Sequence, residues 1–501
     1  MKESLKYLQN GSDIRGIAIS GVQGEEVNLT NEIANKLGKA FATWLAVKSD
    51  TSTTQLQIAV GRDSRLSGPE LAKAFILGML KVGAHAMDVG YATTPAMFMA
   101  TQFSKTKCQG AVMLTASHLP YNRNGFKFFT AYSGLEKEDI TQMLSMAEED
   151  QWIEPENPGM ITHLDLIDIY SDHICSLIQK GTDKTLPFKN KKIIVDAGNG
   201  AGGFFARDIL SKLGADIKGS LFLDPDGHFP NHVPNPEDDE AISYLIRAVQ
   251  KEKADLGIIF DTDVDRAAIV DETGRPIHRN RLIALLSAII LMEHPGSYIV
   301  TDSVTSDGLS EFIRARGGIH FRYKRGYRNV INKSIDLNEE GNESWLAIET
   351  SGHAAFRENY FLDDGAFLVA KILIALSRDT EKMIRPGDLI KKLREPQEAR
   401  EFRIPIKSDD YRDYGKEILD KLEQFSASQS GWTKTTENYE GIRIQCDDSH
   451  GAGWFLLRLS LHDPILPLNI ESNMTGGVSF ILSRLKNFFK DFQDLNLETL
   501  A

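Results

Sequence analysis

A disulfide-bonded or zinc-ribbon architecture is excluded by the scarcity of cysteine. The 501 residues include three cysteines, Cys108, Cys175 and Cys446, which stand too far apart for a paired framework or a zinc pattern. Positive charge is also in deficit, with a formal net charge of -13. We therefore expect no general affinity for nucleic acid or an anionic membrane, since both require a basic face.

Long apolar runs are missing as well. The longest, around Leu282 to Met292, is interrupted by Ser287 and falls short of a bilayer span, and Met1 to Asn10 contains no apolar signal segment. Neither export nor membrane insertion is indicated. We expect a cytoplasmic protein, or one of an organelle stroma if a transit peptide has been removed.

What the chain does contain is the alternation of an α/β protein. Its 501 residues exceed one hydrophobic core, so several domains are expected. Apolar, β-branched runs alternate with helical periodicity, such as a helix from Pro69 to about Val82, which indicates largely buried strands. The predicted strands are Gln57 to Val60, Gly110 to Leu114, Lys192 to Val195, Leu256 to Phe260, Ser297 to Val300 and Trp345 to Ile348. After Glu401 shorter strands and a final helix, Ser479 to Phe492, indicate a smaller α+β domain.

Three of the predicted strands end in unusually polar loops. The loops are residues 115–118 (Thr-Ala-Ser-His), 261–266 (Asp-Thr-Asp-Val-Asp-Arg) and 349–353 (Glu-Thr-Ser-Gly-His). Ligands collect at the carboxyl ends of strands in α/β sheets. Three such loops suggest three similar domains that face a common site.

Asp261, Asp263 and Asp265 form a candidate metal site. Carboxylates at alternate positions after a strand can turn toward one hard cation, and oxygen ligands suit Mg²⁺. A calcium loop is the first alternative, with Glu272 at its twelfth position. It is disfavoured because Arg266 stands where the turn requires glycine and a strand replaces the preceding helix. A solvated acidic turn is the second alternative.

Ser117 is a candidate nucleophile because of its neighbours. A serine after a strand is usually a turn or helix-cap residue. Here His118 can exchange protons, and the following loop leads to Lys127, which could meet a phosphate or deprotonate a hydroxyl. The cluster carries the signal.

Several arginines lie in glycine-containing loops. Guanidinium groups bind phosphate oxygens in pairs, but most such arginines only pair with nearby aspartates. We favour that structural interpretation for Arg62 and Arg65, whereas for Arg15 both interpretations stand. Arg458 and Ser460, at a strand end before the His462-Asp463-Pro464 turn, could clamp a phosphate. The basic loop from Lys324 to Arg328 is more commonly a solvated charge run.

These motifs, in this order, resemble the α-D-phosphohexomutase family over nearly the whole chain. Ser117-His118 with Asn124-Gly125-Phe126-Lys127 is similar to the family's phosphoserine loop. The other motifs are similar to its metal loop (261–266), its sugar-binding loop (349–353) and its phosphate-binding loop (458–464). The supporting stretches are Asp13-Ile14-Arg15-Gly16, Gly61-Arg62-Asp63-Ser64-Arg65, Thr93-Thr94-Pro95, Asp196-x-Gly198-Asn199-Gly200 and Asp363-Asp364-Gly365.

The resemblance implies three similar mixed-sheet α/β domains plus a smaller C-terminal α+β domain around a central cleft. The implied domains are 1–158 with the phosphoserine loop, 159–275 with the metal loop, 276–390 with the sugar loop and 391–501 with the phosphate loop.

An isomerase, an intramolecular phosphotransferase, is the implied activity. Ser117 would carry a phosphoryl group and share one Mg²⁺ per chain with Asp261, Asp263 and Asp265. A hexose 1,6-bisphosphate would be both intermediate and activator. The remaining implied roles are catalytic for Arg15, His118, Lys127 and Arg266, and substrate-binding for Lys324, Tyr327, Glu349, Ser351, His353, Arg458 and Ser460.

Departures from the family pattern concern the sugar more than the reaction. Leu119 stands where Asn is usual and Thr262 where Gly is usual, and neither change removes a ligand. The other departures are Val304, Tyr327, Thr350 and the Leu461-His462-Asp463 segment.

The partner implied by the resemblance is a small-molecule hexose phosphate, bound by a monomer or homodimer. The main hypothesis is a phosphomannomutase/phosphoglucomutase, and a phosphoglucosamine mutase is the nearest alternative. A non-catalytic sugar-phosphate sensor or scaffold and a metal-dependent phosphatase are weaker alternatives. The intact set of Ser117, the three aspartates, Arg266 and Lys127 argues against a sensor.

Overall fold

A computed structural model describes residues 4–152, 154–378, 383–460 and 463–500. The chain forms two compact units. The first comprises Met1–His278 with Ser351–Asp388, and the second comprises Arg279–Thr350 with Leu389–Ala501. Leu461 and His462 of the predicted phosphate loop lie outside the described residues.

The strands, in chain order, are β1 (Gln9–Asn10), β2 (Asp13–Ile17), β3 (Gln57–Arg62), β4 (His85–Tyr91), β5 (Gly110–Leu114), β6 (Arg123–Thr130), β7 (Ile161–His163), β8 (Ile193–Asp196), β9 (Leu256–Phe260), β10 (Ala267–Asp271), β11 (Pro276–Ile277), β12 (Tyr298–Thr301), β13 (Ile319–Arg322), β14 (Ser344–Ile348), β15 (Ala354–Phe356), β16 (Glu398–Pro405), β17 (Trp432–Lys434), β18 (Ile442–Cys446), β19 (Gly453–Leu457) and β20 (Ile465–Ser472).

The α-helices, in chain order, are α1 (Asn31–Lys48), α2 (Gly68–Lys81), α3 (Thr94–Met99), α4 (Lys137–Glu149), α5 (Leu166–Thr182), α6 (Asp239–Glu252), α7 (Asn280–Glu293), α8 (Asp307–Ala315), α9 (Tyr327–Glu339), α10 (Gly365–Ser377), α11 (Pro386–Leu389), α12 (Tyr411–Ala427) and α13 (Gly477–Phe489).

The first unit contains two mixed sheets. The larger sheet has the order β1-β2-β6-β5-β3-β4-β7, and the smaller has the order β11-β10-β9-β8. Strand β5 runs parallel to β3 and antiparallel to β6, and β9 runs parallel to β8 and antiparallel to β10. All five residues of β5 and all five of β9 are buried. Both strands are therefore held rigidly, and the loops that follow them are positioned by rigid scaffolds.

The second unit contains two further arrays of strands. Strands β13, β12 and β14 are parallel neighbours in that order. The C-terminal sheet is antiparallel, with the order β16-β20-β19-β18-β17, and its apolar core is covered by α12 and α13.

The predicted fold class is confirmed: three α/β domains with mixed sheets precede a C-terminal domain with its own sheet. Strands β5 and β9 have the predicted bounds. The final helix ends at Phe489 rather than at the predicted Phe492, whose side chain is nevertheless buried in the C-terminal core. None of the helices in the described ranges combines the length and the apolar character that a membrane crossing requires. The four domain boundaries and the central cleft stay predictions.

Candidate active site

The acidic loop between β9 and β10 gathers three buried carboxylates. Asp261, Asp263 and Asp265 each offer an oxygen atom, and these atoms lie within 4.8 Å of one another. The side chains are buried because the loop joins two fully buried strands. The turn places Val264 at φ 64°, a region that a β-branched residue rarely occupies. Such backbone strain is typical of functional loops.

The donor set fits a divalent cation. Oδ1 of Asp263 and Oδ1 of Asp265 are buried and make no hydrogen bond. Buried carboxylate oxygens require a donor or a cation, so these two atoms indicate a site for an ion. Three carboxylates in a small space suit Mg²⁺. The calcium-loop alternative is disfavoured, because a β-hairpin rather than two helices flanks the loop.

Burial and neighbouring charges shift the pKa values of Asp261 and Asp265 in opposite directions. Burial raises the pKa of Asp261 well above its usual value, and the negative charge of Asp265 adds to the effect. Burial opposes ionisation of Asp265 too, but Lys127, His353 and Arg266 outweigh it and hold the pKa of Asp265 well below its usual value. A bound cation would favour the ionised form of both groups.

Ser117 lies directly against this cluster. Its Oγ donates to Oδ2 of Asp261 at 3.1 Å, and the residue is 4% exposed. The backbone of Ser117 is left-handed, with φ 50°, and its N–H donates to Thr115 Oγ1 at 2.9 Å. The strained turn points the hydroxyl toward residues 144 positions away, which is the convergence that the sequence predicted.

Arg266 joins the serine loop, residues 115–123, to the acidic loop, residues 261–266. Its Nε donates to Asp261 Oδ2 at 3.0 Å, and its Nη2 donates to Ser117 Oγ at 3.0 Å. Its Nη1 donates to Asn235 Oδ1 at 3.1 Å. The guanidinium is buried and thus fixed on three sides, so it is preorganised to stabilise negative charge beside Ser117.

His118 is an acceptor in this structure. Its Nδ1 accepts from Arg266 Nη2 at 2.7 Å and lies 3.3 Å from Ser117 Oγ. Burial and the nearby Arg266 and Arg15 lower the pKa of His118 to about 3. The imidazole is therefore neutral near pH 7, and its remaining proton resides on Nε2. The expected proton exchange at His118 would have to involve this neutral ring.

Lys127 reaches the acidic loop from β6. Its Nζ donates to Asp265 Oδ2 and lies 3.4 Å from Asp263 Oδ2. The side chain is buried, and the ammonium group lies against the carboxylates. Thr94, at the start of α3, donates its N–H to the Asp263 carbonyl at 2.9 Å and its hydroxyl to Asp263 Oδ2.

Arg65 fixes the serine loop by donating hydrogen bonds to four of its backbone carbonyls. Its Nη2 donates to the carbonyls of Ser117 at 2.5 Å and of Leu119 at 2.6 Å, and its Nη1 donates to those of Pro120 and Arg123, both at 2.8 Å. The predicted pairing with an aspartate is present too, with Asp63 Oδ2 3.4 Å from Nε. Leu119 contributes a backbone carbonyl, which any residue offers, so this departure from the family pattern leaves the contact intact.

Two glycines let neighbouring segments approach the acidic loop. A Cβ at Gly365 would lie 2.9 Å from backbone atoms of Arg266 and Val264. A Cβ at Gly200 would lie 2.6 Å from the carbonyl oxygen of Thr262. The Gly365 N–H donates to the Val264 carbonyl at 2.9 Å and thereby supports the strained turn.

Three other predicted residues of the first unit lie near these groups. Arg15 donates to Asp13 Oδ2 at 3.0 Å and contributes to the electrostatic field at His118. His353 is 3.8 Å from Asp265 Oδ1 through Nε2, and its Nδ1 lies 2.9 Å from Ser351 Oγ. Burial lowers the pKa of His353 to about 3, so it is neutral near pH 7.

Glu349, Lys324 and Tyr327 lie in the second unit. The Gly326 N–H donates to Glu349 Oε1 at 2.6 Å, which links the sugar loop to the basic loop at the start of α9. Lys324 Nζ lies 5.8 Å from the centre of the Tyr323 ring. The departure Thr350 donates its hydroxyl to Asp302 Oδ2 at 2.6 Å.

Arg458 and Ser460 follow β19 in the same unit. Arg458 Nη1 is 3.9 Å from Glu440 Oε1, and Oε2 of that carboxylate accepts from the Arg325 N–H at 3.1 Å. Ser460 Oγ accepts from the Asp463 N–H at 3.3 Å. The predicted clamp thus contains a buried guanidinium and a hydroxyl that accepts a backbone N–H.

Comparisons with known proteins agree with these motifs. Profiles of phosphoglucomutase/phosphomannomutase α/β/α domains I, II and III match residues 7–151, 168–274 and 278–394. The phosphomannomutase/phosphoglucomutase of Pseudomonas aeruginosa is 32% identical over 486 residues, covering 96% of this chain and 95% of that protein. The chain belongs to the phosphoglucomutase/phosphomannomutase family.

Other members of the phosphoglucomutase/phosphomannomutase family are comparably similar. The phosphoglucomutase of Neisseria gonorrhoeae is 31% identical over 475 residues, covering 93% of this chain and 94% of that protein. The crystal structure of a family protein from Burkholderia thailandensis has a TM-score of 0.80 at 27% identity and covers 98% of both chains.

Sequence reasoning missed several contacts in this family member. Asn235 receives a hydrogen bond from Arg266, and Arg65 clamps the serine loop. Asn235 lies in a Pro-Asn-Pro stretch with no titratable signature. Arg65 is 52 residues from Ser117 and was predicted only to pair with an aspartate. A long-range contact of this kind leaves no local periodicity or spacing to find.

Proposed function

We propose that this chain is a phosphohexomutase that interconverts hexose 1-phosphates and hexose 6-phosphates through phospho-Ser117. The observation that carries the proposal is the position of Ser117 Oγ, 3.1 Å from Asp261 Oδ2 and 3.0 Å from Arg266 Nη2. A nucleophilic hydroxyl beside a cation site and a fixed guanidinium is the arrangement that phosphoryl transfer requires.

Asp261, Asp263 and Asp265 would hold one Mg²⁺ together with the Ser117 side chain. When bound, the ion supplies positive charge that offsets the negative charge of the transferring phosphoryl oxygens. Arg266 stabilises the same developing charge through Nη2, which already points at the serine oxygen. Arg65 keeps the Ser117 hydroxyl in place by fixing four backbone carbonyls of the serine loop.

Each half-reaction exchanges one P–O bond for another. The bond between phosphorus and Ser117 Oγ breaks while a bond from phosphorus to a sugar hydroxyl oxygen forms, and the hydroxyl proton passes to a base. The lone pair of His118 Nδ1 is already engaged by Arg266. We therefore propose Lys127, beside Asp263 and Asp265, as the group that takes this proton, and it does so as the neutral amine, since an ammonium group has no lone pair.

The complete reaction requires two such exchanges on opposite ends of one sugar. The first yields a hexose 1,6-bisphosphate, which reverses its orientation, and the second returns a phosphoryl group to Ser117. Added bisphosphate would therefore act as activator. We propose that Glu349, Ser351 and His353 bind the ring hydroxyls. Lys324, Tyr327, Arg458 and Ser460 would complete the substrate-binding site, with Arg458 and Ser460 at the phosphate that is not reacting, and Arg15 would act in catalysis.

Glucose and mannose phosphates are the proposed substrates, in line with the names of the relatives. Glucosamine phosphate is the alternative, because Thr350 and Tyr327 depart from the usual residues of the family. A cytoplasmic monomer or homodimer is proposed, acting on a small molecule rather than on nucleic acid or a membrane.

Coupled assays test this proposal with glucose 1-phosphate, mannose 1-phosphate and glucosamine 1-phosphate, each with a trace of the matching bisphosphate and Mg²⁺. We expect turnover of the first two, and its loss in Ser117→Ala. Ser171→Ala, which changes a fully buried serine on α5, is the matched control and should retain turnover. Wild-type protein that turns over none of the three sugars would refute the proposal and leave the sensor alternative.

A further inference from the structure

Asp196 and His232 form a buried pair that takes part in none of the proposed catalytic steps. His232 belongs to the loop of residues 231–238, which precedes α6 and carries Asn235. Its Nε2 lies 3.1 Å from both carboxylate oxygens of Asp196 at the end of β8. Both side chains are fully buried.

The surroundings of the ring determine its protonation state. Nδ1 of His232 lies 2.9 Å from the carbonyl oxygen of Val233, which can only accept a hydrogen bond. Nε2 faces the Asp196 carboxylate, which also accepts the Gly198 N–H at 2.9 Å. A neutral imidazole has one N–H, so it can satisfy one of these acceptors. Two acceptors on opposite sides are satisfied by an imidazolium.

The environment compensates the charge of such an imidazolium. Asp196 supplies the counter-charge, and Asp238, the capping residue of α6, adds a favourable interaction. The rings of Phe222 and Tyr244 lie 5.4 Å and 5.5 Å from the imidazole centre and exclude water from it. Burial opposes protonation, but the contacts with Asp196 and Val233 outweigh it and raise the pKa of His232 above its ordinary value.

A continuous set of contacts leads from this pair to the reacting serine. The Val233 carbonyl that accepts from His232 also accepts the Asn235 N–H at 2.8 Å. Asn235 Oδ1 accepts from Arg266 Nη1 at 3.1 Å, and Arg266 Nη2 donates to Ser117 Oγ at 3.0 Å. His232 therefore fixes the Val233 carbonyl, and that carbonyl orients Asn235. Asn235 in turn accepts a hydrogen bond from Arg266.

We propose that His232 is a positioning residue: as a buried imidazolium paired with Asp196, it holds the 231–238 loop so that Asn235 aims Arg266 at Ser117. The kinetic consequence rests on the proposed function, whereas the charge of His232 does not depend on it. Close approach of the loop depends on Gly198, where a Cβ would lie 2.8 Å from Pro234 and 3.3 Å from the ring of His232.

The charge is tested by NMR of protein labelled with ¹⁵N in its histidine rings, recorded at pH 8, where an ordinary histidine is neutral. The resonances of His232 are identified by their loss in His232→Gln. We expect both ring nitrogens to be protonated, and we expect this double protonation to be lost in Asp196→Asn. A singly protonated His232 ring at pH 8 would overturn the proposal, whether or not the protein is a mutase.

The positioning role is tested by steady-state kinetics of the full chain. His232→Gln should lower kcat about tenfold or more and change KM less than twofold, since a misplacement of about 1 Å can cost about 100-fold in rate. His228→Gln is the matched control, because His228 forms a similar pair with Asp226 at 2.9 Å but is exposed. It should leave both parameters unchanged.

A double-mutant cycle separates positioning from general loss of structure. If both side chains act through Arg266, His232→Gln combined with Asn235→Ala should lose no more kcat than the more damaging single variant. Additive losses would contradict the proposed path, as would a His232→Gln variant with unchanged kcat. Folding of each variant is checked by circular dichroism. Absence of mutase activity in the wild-type chain would refute the proposed function while the NMR result still decides the charge of His232.

Discussion

Replacing Arg65 with methionine should destabilise the first unit and release the serine loop. The buried guanidinium donates to four carbonyls of that loop, including those of Ser117 and Leu119, and pairs with buried Asp63. Removing one partner of a buried ion pair costs about 3–5 kcal/mol, because the other charge stays buried and unpaired. We expect a loss of about 4 kcal/mol in the free energy of unfolding.

The components of this loss can be separated with a second substitution. Burial already raises the pKa of Asp63 to about 6 against the opposing effect of Arg65. Without Arg65 the buried Asp63 carboxyl must either stay charged or take up a proton, and both cost free energy. Asp63→Asn in the Arg65→Met background removes this cost, so it should restore about 2 kcal/mol while the four carbonyls still lack their donor. Turnover should stay low in both variants.

The assay is urea unfolding, combined with hydrogen exchange of the amides of residues 115–125. Arg62→Met is the matched control, because Arg62 packs on the Tyr91 ring at 5.1 Å rather than on the loop, and such contacts contribute about 0.5–1 kcal/mol. An Arg65→Met loss no larger than that of the control, with unchanged amide exchange, would refute the clamp.

Three further substitutions test other parts of the site and fold. Gly365→Ala should lower kcat more than tenfold, because the added Cβ would lie 2.9 Å from backbone atoms of Arg266 and force the acidic loop to shift. An unchanged kcat would count against this contact. Asp263→Asn should weaken Mg²⁺ binding in calorimetry and cut turnover severely with little loss of stability, whereas equal affinity for Mg²⁺ would show that the cation site is misplaced. Glu471 accepts a hydrogen bond from Trp454, and burial raises its pKa to about 7. The folded state therefore binds the proton of Glu471 more tightly than the unfolded state does. As a result, the free energy of unfolding should fall by about 3 kcal/mol between pH 4.5 and 7. Glu471→Gln should remove this fall in urea titrations across the pH range, and an identical pH dependence in the variant would contradict it.

The strand-end loops could be predicted from sequence because buried strands dictate where polar residues emerge. Strand β9 is a continuous apolar run followed at once by alternating carboxylates, so its bounds and the acidic cluster both follow from local pattern. The convergence with Ser117 required the rule that ligands collect at the carboxyl ends of strands.

The electrostatic detail could not be predicted in this way. His118 was expected to exchange protons, but burial and the surrounding arginines lower its pKa to about 3 and make it an acceptor for Arg266. Asn235 and His232 lack any motif, since their contacts join segments more than 30 residues apart. Such effects depend on burial and on distances that arise from the tertiary fold.

Phosphoryl transfer through Ser117 is tested most directly by the intact mass of the purified chain. We predict a mass that is higher than that of the sequence by one phosphoryl group, which disappears on incubation with excess hexose monophosphate and is missing from Ser117→Ala. A chain that never acquires this group, even after incubation with hexose 1,6-bisphosphate and Mg²⁺, would contradict the account.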